Sequence, residues 1–239
     1  MPHSDQLLLP FELPPILSSN RFSVGSSNQE AFTWIQRWPN WPQRCLVLYG
    51  PRGCGKTHLG HIWQNYVQGH WIQPSACDDR SPTEWVLEHP ALALDDAHLF
   101  EDEVYFLHLY NAVQEYRGWL LLLAPTPPAH WKIDLPDLAS RLKILPTIEI
   151  LLPDDDLLQQ VIQKLFKDLQ ITVEAVVLTF MVQHIERSFV EAQKFVQFLN
   201  QASLRLQKSI TLSFVRDQWR IWTLQQVEKP DSSPVLLGF

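Results

Sequence analysis

Apolar and polar positions follow two different patterns along the chain, and the change falls near residue 153. Before it, short apolar runs typical of strands alternate with stretches in which apolar residues recur at helical spacing. The predicted strands are 45–49, 70–73, 92–95, 119–124 and 147–152, and the predicted helices include 29–38, 57–67, 103–116 and 135–142. Strands separated by helices predict right-handed crossovers, and therefore an α/β fold with a mostly parallel five-stranded sheet.

After Pro153 the pattern is helical, and no strand pattern recurs beyond residue 152. Asp154 offers an N-cap, and the two aspartates that follow it place negative charge in the first turn of a helix. The predicted helices run from there to about 169, near 174–185, near 189–206 and from about 211. We therefore expect an N-terminal segment 1–19, an α/β domain 20–153, a small all-helical domain 154–227 and a tail 228–239.

Composition narrows the class of protein. The chain has 239 residues, of which 46% are hydrophobic, and a formal net charge of −7. The acidic balance argues against broad, non-specific binding to nucleic acid. No apolar run approaches the roughly 20 residues of a membrane span, and the N-terminus lacks a basic region followed by an apolar core, so we expect no signal peptide. Cys45, Cys54 and Cys77 lack metal-ligand spacing, so we interpret them as reduced thiols of a cytoplasmic protein.

A phosphate-binding motif follows the first predicted strand. Residues 50–57 read GPRGCGKT, which matches G-x-x-x-x-G-K-[ST] between a strand and a helix. Gly50, Gly53 and Gly55 let backbone N–H groups turn toward phosphate oxygens at a helix N-terminus. Lys56 is expected to reach the β- and γ-phosphates, and the Thr57 hydroxyl to ligate Mg²⁺. The chain is therefore predicted to bind a nucleotide, ADP or ATP, with Mg²⁺.

A pair of aspartates ends the third predicted strand. Asp95 is expected to lie beside Thr57 and to hold Mg²⁺, directly or through water. Asp96 is expected to point at the water that attacks the γ-phosphate, which makes it a catalytic candidate. The Asn/Thr-Lys-x-Asp sequence that reads guanine is absent from the chain, which favours adenine nucleotides.

Four segments resemble the DnaA-type AAA+ ATPases: 20–28 (NRFSVGSSN), the glycine loop, 94–98 (LDDAH) and 135–142 (LPDLASRL). The resemblance implies a P-loop AAA+ module, followed by a helical lid. It also implies that Val24 and His58 contact the nucleotide and that Arg141 is an arginine finger acting in trans on a neighbour's γ-phosphate. Residues 185–189 (IERSF) resemble the second sensor of the lid, which would bring Arg187 to the nucleotide.

The N-terminus has a motif of its own. Gln6, Leu7, Leu9, Pro10 and Phe11 resemble the motif by which bacterial proteins dock on the DNA polymerase sliding clamp. Chance leucines in a disordered leader are the alternative interpretation. A clamp motif followed by a DnaA-like module is similar to the Hda family, ADP-bound proteins that inactivate the initiator DnaA. That resemblance implies DnaA and the clamp as partners, with DNA met only indirectly through the clamp.

Two departures from the AAA+ pattern affect the expected chemistry. The first-sensor position near the end of the fourth strand is occupied by Leu123, with Thr126 nearby, and the sequence leaves open which residue serves it. Asp96 stands where many AAA+ enzymes have Glu. Both departures predict slow hydrolysis by the chain itself, which suits a regulator. An autonomous AAA+ ATPase that loads or recruits another replication factor remains the alternative, and a homo-oligomer is possible on either interpretation.

Overall fold

A computed structural model describes residues 22–72 and 80–227 of the chain. The clamp motif at 6–11, the segment 1–19 that contains it and the tail 228–239 lie outside the described residues. Cys77 lies outside them too.

The predicted sheet is present, and all of its strand pairs are parallel. Its strands are β1 (Cys45–Tyr49), β2 (His70–Ile72), β3 (Ala91–Leu94), β4 (Trp119–Ala124) and β5 (Thr147–Glu149). The strand order is β2-β3-β4-β1-β5, so β1 pairs with β4 on one side and β5 on the other. Because the strands are parallel, their carboxyl ends meet at a single edge of the sheet.

Helices cover both faces of the sheet. They are α1 (Gln29–Gln36), α2 (Lys56–Val67), α3 (Pro82–Glu88), α4 (Glu103–Glu115) and α5 (Pro136–Lys143). Side chains alternate between the faces along each strand, so Val47 packs in the cluster that contains α3, α4 and α5. Leu46 and Leu48 pack in the opposite cluster, with α1 and α2. Burial on both faces explains why the strands read as continuous apolar runs.

Helix α3 is an element that the hydrophobic pattern did not predict. It is 7 residues long, which is too short for a clear periodicity. Its start nevertheless carries a capping box, in which the Ser81 hydroxyl accepts from the Glu84 backbone N–H and the Glu84 carboxylate accepts from the Ser81 N–H. The S-x-x-E spacing was therefore the available sequence signal for this helix.

Strand β5 is shorter than its apolar run suggested. It ends at Glu149 instead of residue 152. Beyond it, the Ile150 N–H donates to the Tyr49 carbonyl and the Leu151 N–H donates to the carbonyl of Ser27. The chain thus leaves β1 after Ile150, and its next backbone N–H bonds to the segment that precedes α1.

The region after β5 is helical, as expected. It consists of α6 (Asp155–Asp168), α7 (Ala175–His184), α8 (Phe189–Leu206) and α9 (Leu212–Val227). These helices share a core in which Phe166, Met181 and Phe195 are almost fully buried. Asp154 caps α6 by accepting from the Leu157 N–H at 2.8 Å. Among the described residues, no helix is long and apolar enough to cross a membrane.

Candidate functional site

The glycine loop joins β1 to α2 and is shaped by close backbone contacts. A Cβ at Gly50 would collide with the carbonyl oxygen of Ile150, so the loop leaves the strand where only glycine fits. Gly53 and Gly55 have φ values of +79° and +100°, which side chains on L-residues rarely permit. The loop therefore needs these three glycines at the positions that the motif gives them.

Lys56 and Thr57 begin α2 at the carboxyl edge of the sheet. The Lys56 ammonium donates to the carbonyls of Gly50 at 2.7 Å and Pro51 at 2.9 Å. These bonds hold the ammonium group over the mouth of the loop, where it can meet a phosphate.

The Thr57 hydroxyl donates to a carboxylate oxygen of Asp95 at 2.8 Å. Asp95 directly follows β3, so parallel pairing brings two residues 38 positions apart into direct contact. A hydroxyl and a carboxylate are oxygen donors of the kind that Mg²⁺ prefers. The residues present thus fit a Mg²⁺ ion, although Thr57 and Asp95 are the only two protein ligands that the sequence proposes.

Asp96 follows in a left-handed backbone conformation, with φ of 48° and ψ of 40°. Its N–H donates to the other carboxylate oxygen of Asp95 at 3.0 Å, which keeps the Asp95 side chain turned toward the loop. The carboxylate of Asp96 is exposed at the surface. It is available to water, as a residue that orients an attacking water would need to be.

A cavity of about 280 Å³ opens between the glycine loop, α2, α6 and α8. The residues that line it are Phe22, Ser23, Gly53, Gly55, Lys56, Thr57, His58, His61, Val161, Lys164, Leu165, Phe189, Val190 and Gln193. One end is therefore formed by the backbone and cation of the glycine loop. The other is formed by ring and aliphatic side chains, which is the distribution expected of a site for a small ligand with a charged and an apolar part.

Two histidines line this cavity from α2. Burial, and to a smaller extent the charges of His61 and Lys164, lowers the pKa of His58 to about 4. The His58 ring stacks against Phe22 with centroids 5.6 Å apart. The His61 ring lies flat on Trp71 with centroids 4.1 Å apart, and its Nδ1 is within hydrogen-bond distance of the Gln64 side-chain oxygen, at 3.0 Å.

The start of α8 touches the glycine loop directly. The Phe189 N–H donates to the Gly53 carbonyl at 3.0 Å. A Cβ at Gly53 would collide with the Ser188 hydroxyl, and one at Gly55 would meet the Phe189 ring at 3.4 Å. The helical region is thus in direct contact with the phosphate loop, next to the place where phosphates are expected to bind.

Arg141 lies on the surface of α5. Its Nε donates to Asp137 of the same helix at 3.0 Å, and its guanidinium lies 5.6 Å from the centroid of the Tyr110 ring. The hydrogen bond to Asp137 is the main cause that raises the Arg141 pKa. The side chain is 38% exposed and does not line the cavity of its own chain.

Arg187 and Val24 lie near the cavity but do not line it. Arg187 pairs with Asp155 at 2.9 Å, and both side chains are more than half exposed. Val24 is at the surface, whereas the preceding Phe22 and Ser23 line the cavity. In the described structure, the lid residues that reach the cavity from α8 are Phe189, Val190 and Gln193 instead.

The two candidates for the first-sensor position, Leu123 and Thr126, differ in burial. Leu123 is fully buried, and its side chain contacts α2 at Gly60. Thr126 is exposed beyond the end of β4, and its carbonyl accepts from the Trp131 indole at 2.8 Å. Leu123 therefore presents no polar group to the site.

Several cavity residues escaped the sequence motifs. Lys164 and Gln193 lie outside every segment that resembles a nucleotide-binding motif, so only packing reveals them. His61 could have been found, because it follows Thr57 by four positions and a helix places such residues on one face.

No family model matches the chain. The chain is 23% identical over 206 residues to the chromosomal replication initiator protein DnaA of Cutibacterium acnes. The match covers 76% of this chain and 41% of that protein, so the chain spans about two fifths of the length of this relative.

Solved structures show the same relationship at the level of fold. Domain III of the Thermotoga maritima replication initiation protein DnaA superposes with a TM-score of 0.76 at 17% identity, covering 91% of this chain and 99% of that chain. AMPPCP-bound DnaA from Aquifex aeolicus superposes with a TM-score of 0.65 at 17% identity, covering 79% and 66%.

The parallel sheet, the glycine loop at its carboxyl edge and the helical region that closes over it define a P-loop protein with the AAA+ fold. Within that class, the fold is the one found in domain III of DnaA. The sequence similarity to a DnaA protein agrees with this placement.

Proposed function

We propose that the chain is a nucleotide-bound regulator of DnaA of the Hda type, which promotes hydrolysis of DnaA-bound ATP by donating Arg141. It would thereby inactivate DnaA and act as a negative regulator of DNA replication initiation. The observation that carries the proposal is an exposed arginine on a DnaA-like AAA+ fold, separate from the cavity of its own chain. A guanidinium in that place could exchange its pairing with Asp137 for a phosphate held by another protein.

The nucleotide site is proposed for ADP or ATP, with Mg²⁺. Gly50, Gly53, Gly55 and Lys56 would hold the phosphates, and Thr57 with Asp95 would hold the metal ion. The Aquifex aeolicus DnaA structure with a similar fold binds the ATP analogue AMPPCP, which supports this assignment. When bound, Mg²⁺ neutralises phosphate charge, and the chain's own part is to orient the ligand between α2, α6 and α8.

We further propose that His58 contacts the nucleotide, because it lines the cavity one position beyond Thr57. Val24 and Arg187 are also proposed as nucleotide contacts, and neither lines the cavity in the described structure. The hydrogen bond between Phe189 and Gly53 gives the helical region a route by which nucleotide in the loop could reposition the lid.

The proposal assigns recruitment to the N-terminal motif. Gln6, Leu7, Leu9, Pro10 and Phe11 would dock in the sliding clamp as an extended peptide with apolar anchors. DNA would then be met indirectly, through a clamp threaded on it, in the cytoplasm. The net charge of −7 agrees with a protein that does not itself grip the duplex.

An autonomous AAA+ ATPase that loads or recruits another factor is the second candidate. It is favoured by the contact between Thr57 and Asp95, which would suit hydrolysis by the chain itself. The buried apolar Leu123 at the first-sensor position argues for slow turnover and therefore for the regulator. Asp96, whose carboxylate is exposed, would carry out the water-orienting step on either interpretation.

The decisive experiment measures turnover of DnaA-bound ATP in the presence of clamp-loaded DNA. Arg141→Ala is expected to remove most of the stimulation, since fingers of this kind contribute about 10³–10⁵ to rate in related phosphoryl-transfer systems. Arg141→Lys is expected to fail as well, because an ammonium cannot reproduce the planar fork of the guanidinium.

Lys143→Ala is the matched control, since it removes an equal charge from the same helix and is also exposed. It should stimulate DnaA normally. Melting curves and ADP affinity should stay near wild type in all three variants. Full stimulation by well-folded Arg141→Ala would refute the finger and favour the autonomous ATPase.

A further inference from the structure

One histidine of α2, His61, lines the cavity and could contact the base of a bound nucleotide. His61 lines the cavity about 7.5 Å along α2 from Lys56, by the rise of a helix. Phe22, Val161 and Leu165 line the same space. Flat apolar walls beside a phosphate-binding loop suit the base of a nucleotide.

Two contacts hold the His61 ring in one orientation. Its face is stacked on Trp71, with an interplanar angle of 15°. Its Nδ1 lies 3.0 Å from the side-chain oxygen of Gln64. With that oxygen as the acceptor, the proton of the neutral ring is on Nδ1. In the neutral imidazole, Nε2 is then an acceptor.

Nε2 has no hydrogen-bond partner among residues 22–72 and 80–227, and it is not among the buried side-chain atoms that lack one. It is therefore the accessible polar atom of a ring that lines the cavity. An acceptor held in this orientation distinguishes purines by their 6-substituent. The 6-amino group of adenine donates to it, whereas the 6-oxygen of hypoxanthine or guanine is itself an acceptor and cannot.

We propose that His61 sets the base specificity of the site, its Nε2 accepting a hydrogen bond from the 6-amino group of adenine. Gln64 is a positioning residue that acts through His61 by keeping the proton on Nδ1. The inference rests on the proposed nucleotide site and adds the chemistry by which that site would choose its base.

The test is isothermal titration at pH 8 with ADP and with inosine 5′-diphosphate, which has an oxygen in place of the 6-amino group. Wild type is expected to prefer ADP by about tenfold or more, because the inosine oxygen would leave two acceptors facing each other. His61→Phe keeps a ring on Trp71 but loses Nε2, so the preference should fall to about twofold or less.

Gln64→Leu should also reduce the preference, whereas Gln64→Glu keeps an acceptor for Nδ1 and should retain it. His70→Phe is the control, since it removes an imidazole that stacks on His89 and does not line the cavity, and it should leave the ratio between the two ligands unchanged. The ratio of the two affinities does not depend on what fraction of a variant is folded. A third ligand provides a further check on the role of the 6-amino group. Wild type should bind purine riboside 5′-diphosphate, which lacks the amino group, about tenfold more weakly than ADP.

An unchanged preference in His61→Phe overturns the inference, as does equal affinity of wild type for ADP and the purine riboside. Equal weakening of both ligands by His61→Phe also overturns it, since Nε2 would then serve the ribose or phosphate. Lys56→Ala distinguishes a failure of the nucleotide site from a failure of the base specificity, because it should weaken the binding of both ligands alike. If wild type binds neither ligand, or Lys56→Ala changes nothing, the proposed nucleotide site fails and the inference fails with it.

Discussion

Gly53 is the residue at which the phosphate loop and the helical region meet most closely. Its carbonyl accepts the Phe189 N–H, its α-carbon faces the Ser188 hydroxyl, and its φ is +79°. Two independent constraints therefore require glycine here, a left-handed backbone and a neighbour that leaves no room for a Cβ.

Gly53→Ala is expected to destabilise the protein and to weaken ADP binding. The left-handed backbone alone costs roughly 1–2 kcal/mol, and the collision with Ser188 adds to it by pushing α8 away from the loop. For a chain of this size, each kcal/mol lowers the melting temperature by about 2–4 °C. Thermal melting and titration with ADP measure the two effects.

Gly55→Ala supplies the comparison, since Gly55 has a similar backbone but its Cβ would meet only the Phe189 ring, at 3.4 Å. The loss should be smaller there. Equal losses in both variants would show that backbone conformation, and not contact with α8, sets the requirement for glycine at position 53.

At the scale of elements, α6 is tied to the N-terminal segment through its cap. One carboxylate oxygen of Asp154 accepts from the Leu157 N–H, and the other accepts from the Ser26 hydroxyl at 2.6 Å. These bonds to the ionised form lower the pKa of Asp154, with the Ser26 bond the larger cause. The cap therefore joins the helical region to the segment that precedes α1.

Asp154→Ala is expected to lower the free energy of unfolding by about 0.5–2 kcal/mol near neutral pH, the usual cost of losing a cap. Because the folded pKa lies below that of the unfolded chain, the stabilisation is fully present above the unfolded value of about 3.9. It is lost as pH falls through the folded pKa. Urea unfolding from pH 7 down to pH 3 measures the difference between the two proteins.

Asp156→Ala is the control, since it removes an exposed carboxylate from the same first turn without removing the cap. Its effect should be smaller. If the difference in free energy of unfolding between wild type and Asp154→Ala stays constant down to pH 3, the assigned role of the ionised carboxylate is contradicted.

At the scale of the whole molecule, nucleotide binding and recruitment are proposed for separate parts of the chain. The double substitution Gln6→Ala with Leu9→Ala is expected to abolish binding to immobilised sliding clamp, because it removes the polar and apolar anchors of the peptide. ADP affinity and the melting temperature should not change. Lys56→Ala should show the reverse behaviour, with clamp binding kept and ADP binding weakened. Equal retention of the double variant and wild type on the clamp would refute docking by residues 6–11.

The sheet could be predicted from sequence because its strands are buried on both faces. Residues 120–123 of β4, for example, are all leucine, because both faces of the strand are covered. All five predicted strands are present. The short helix α3 could not be predicted by periodicity, since 7 residues cover barely two turns. The end of β5 could not be predicted either, because it depends on which backbone group Leu151 meets in space.

For the candidate site, the sequence by itself determined the glycine loop and the aspartate that meets Thr57. A glycine loop needs its residues in consecutive positions, so the constraint can be read locally, and a strand delivers Asp95 to the same edge of the sheet. The tertiary structure alone decided what forms the rest of the cavity. Lys164, Phe189 and Gln193 come from helices that are distant in sequence, and packing alone brings them to α2. It also placed Arg187 against Asp155 and outside the cavity, because Arg187 lies in the connection between α7 and α8, and the direction of a side chain in a connection depends on the packing around it.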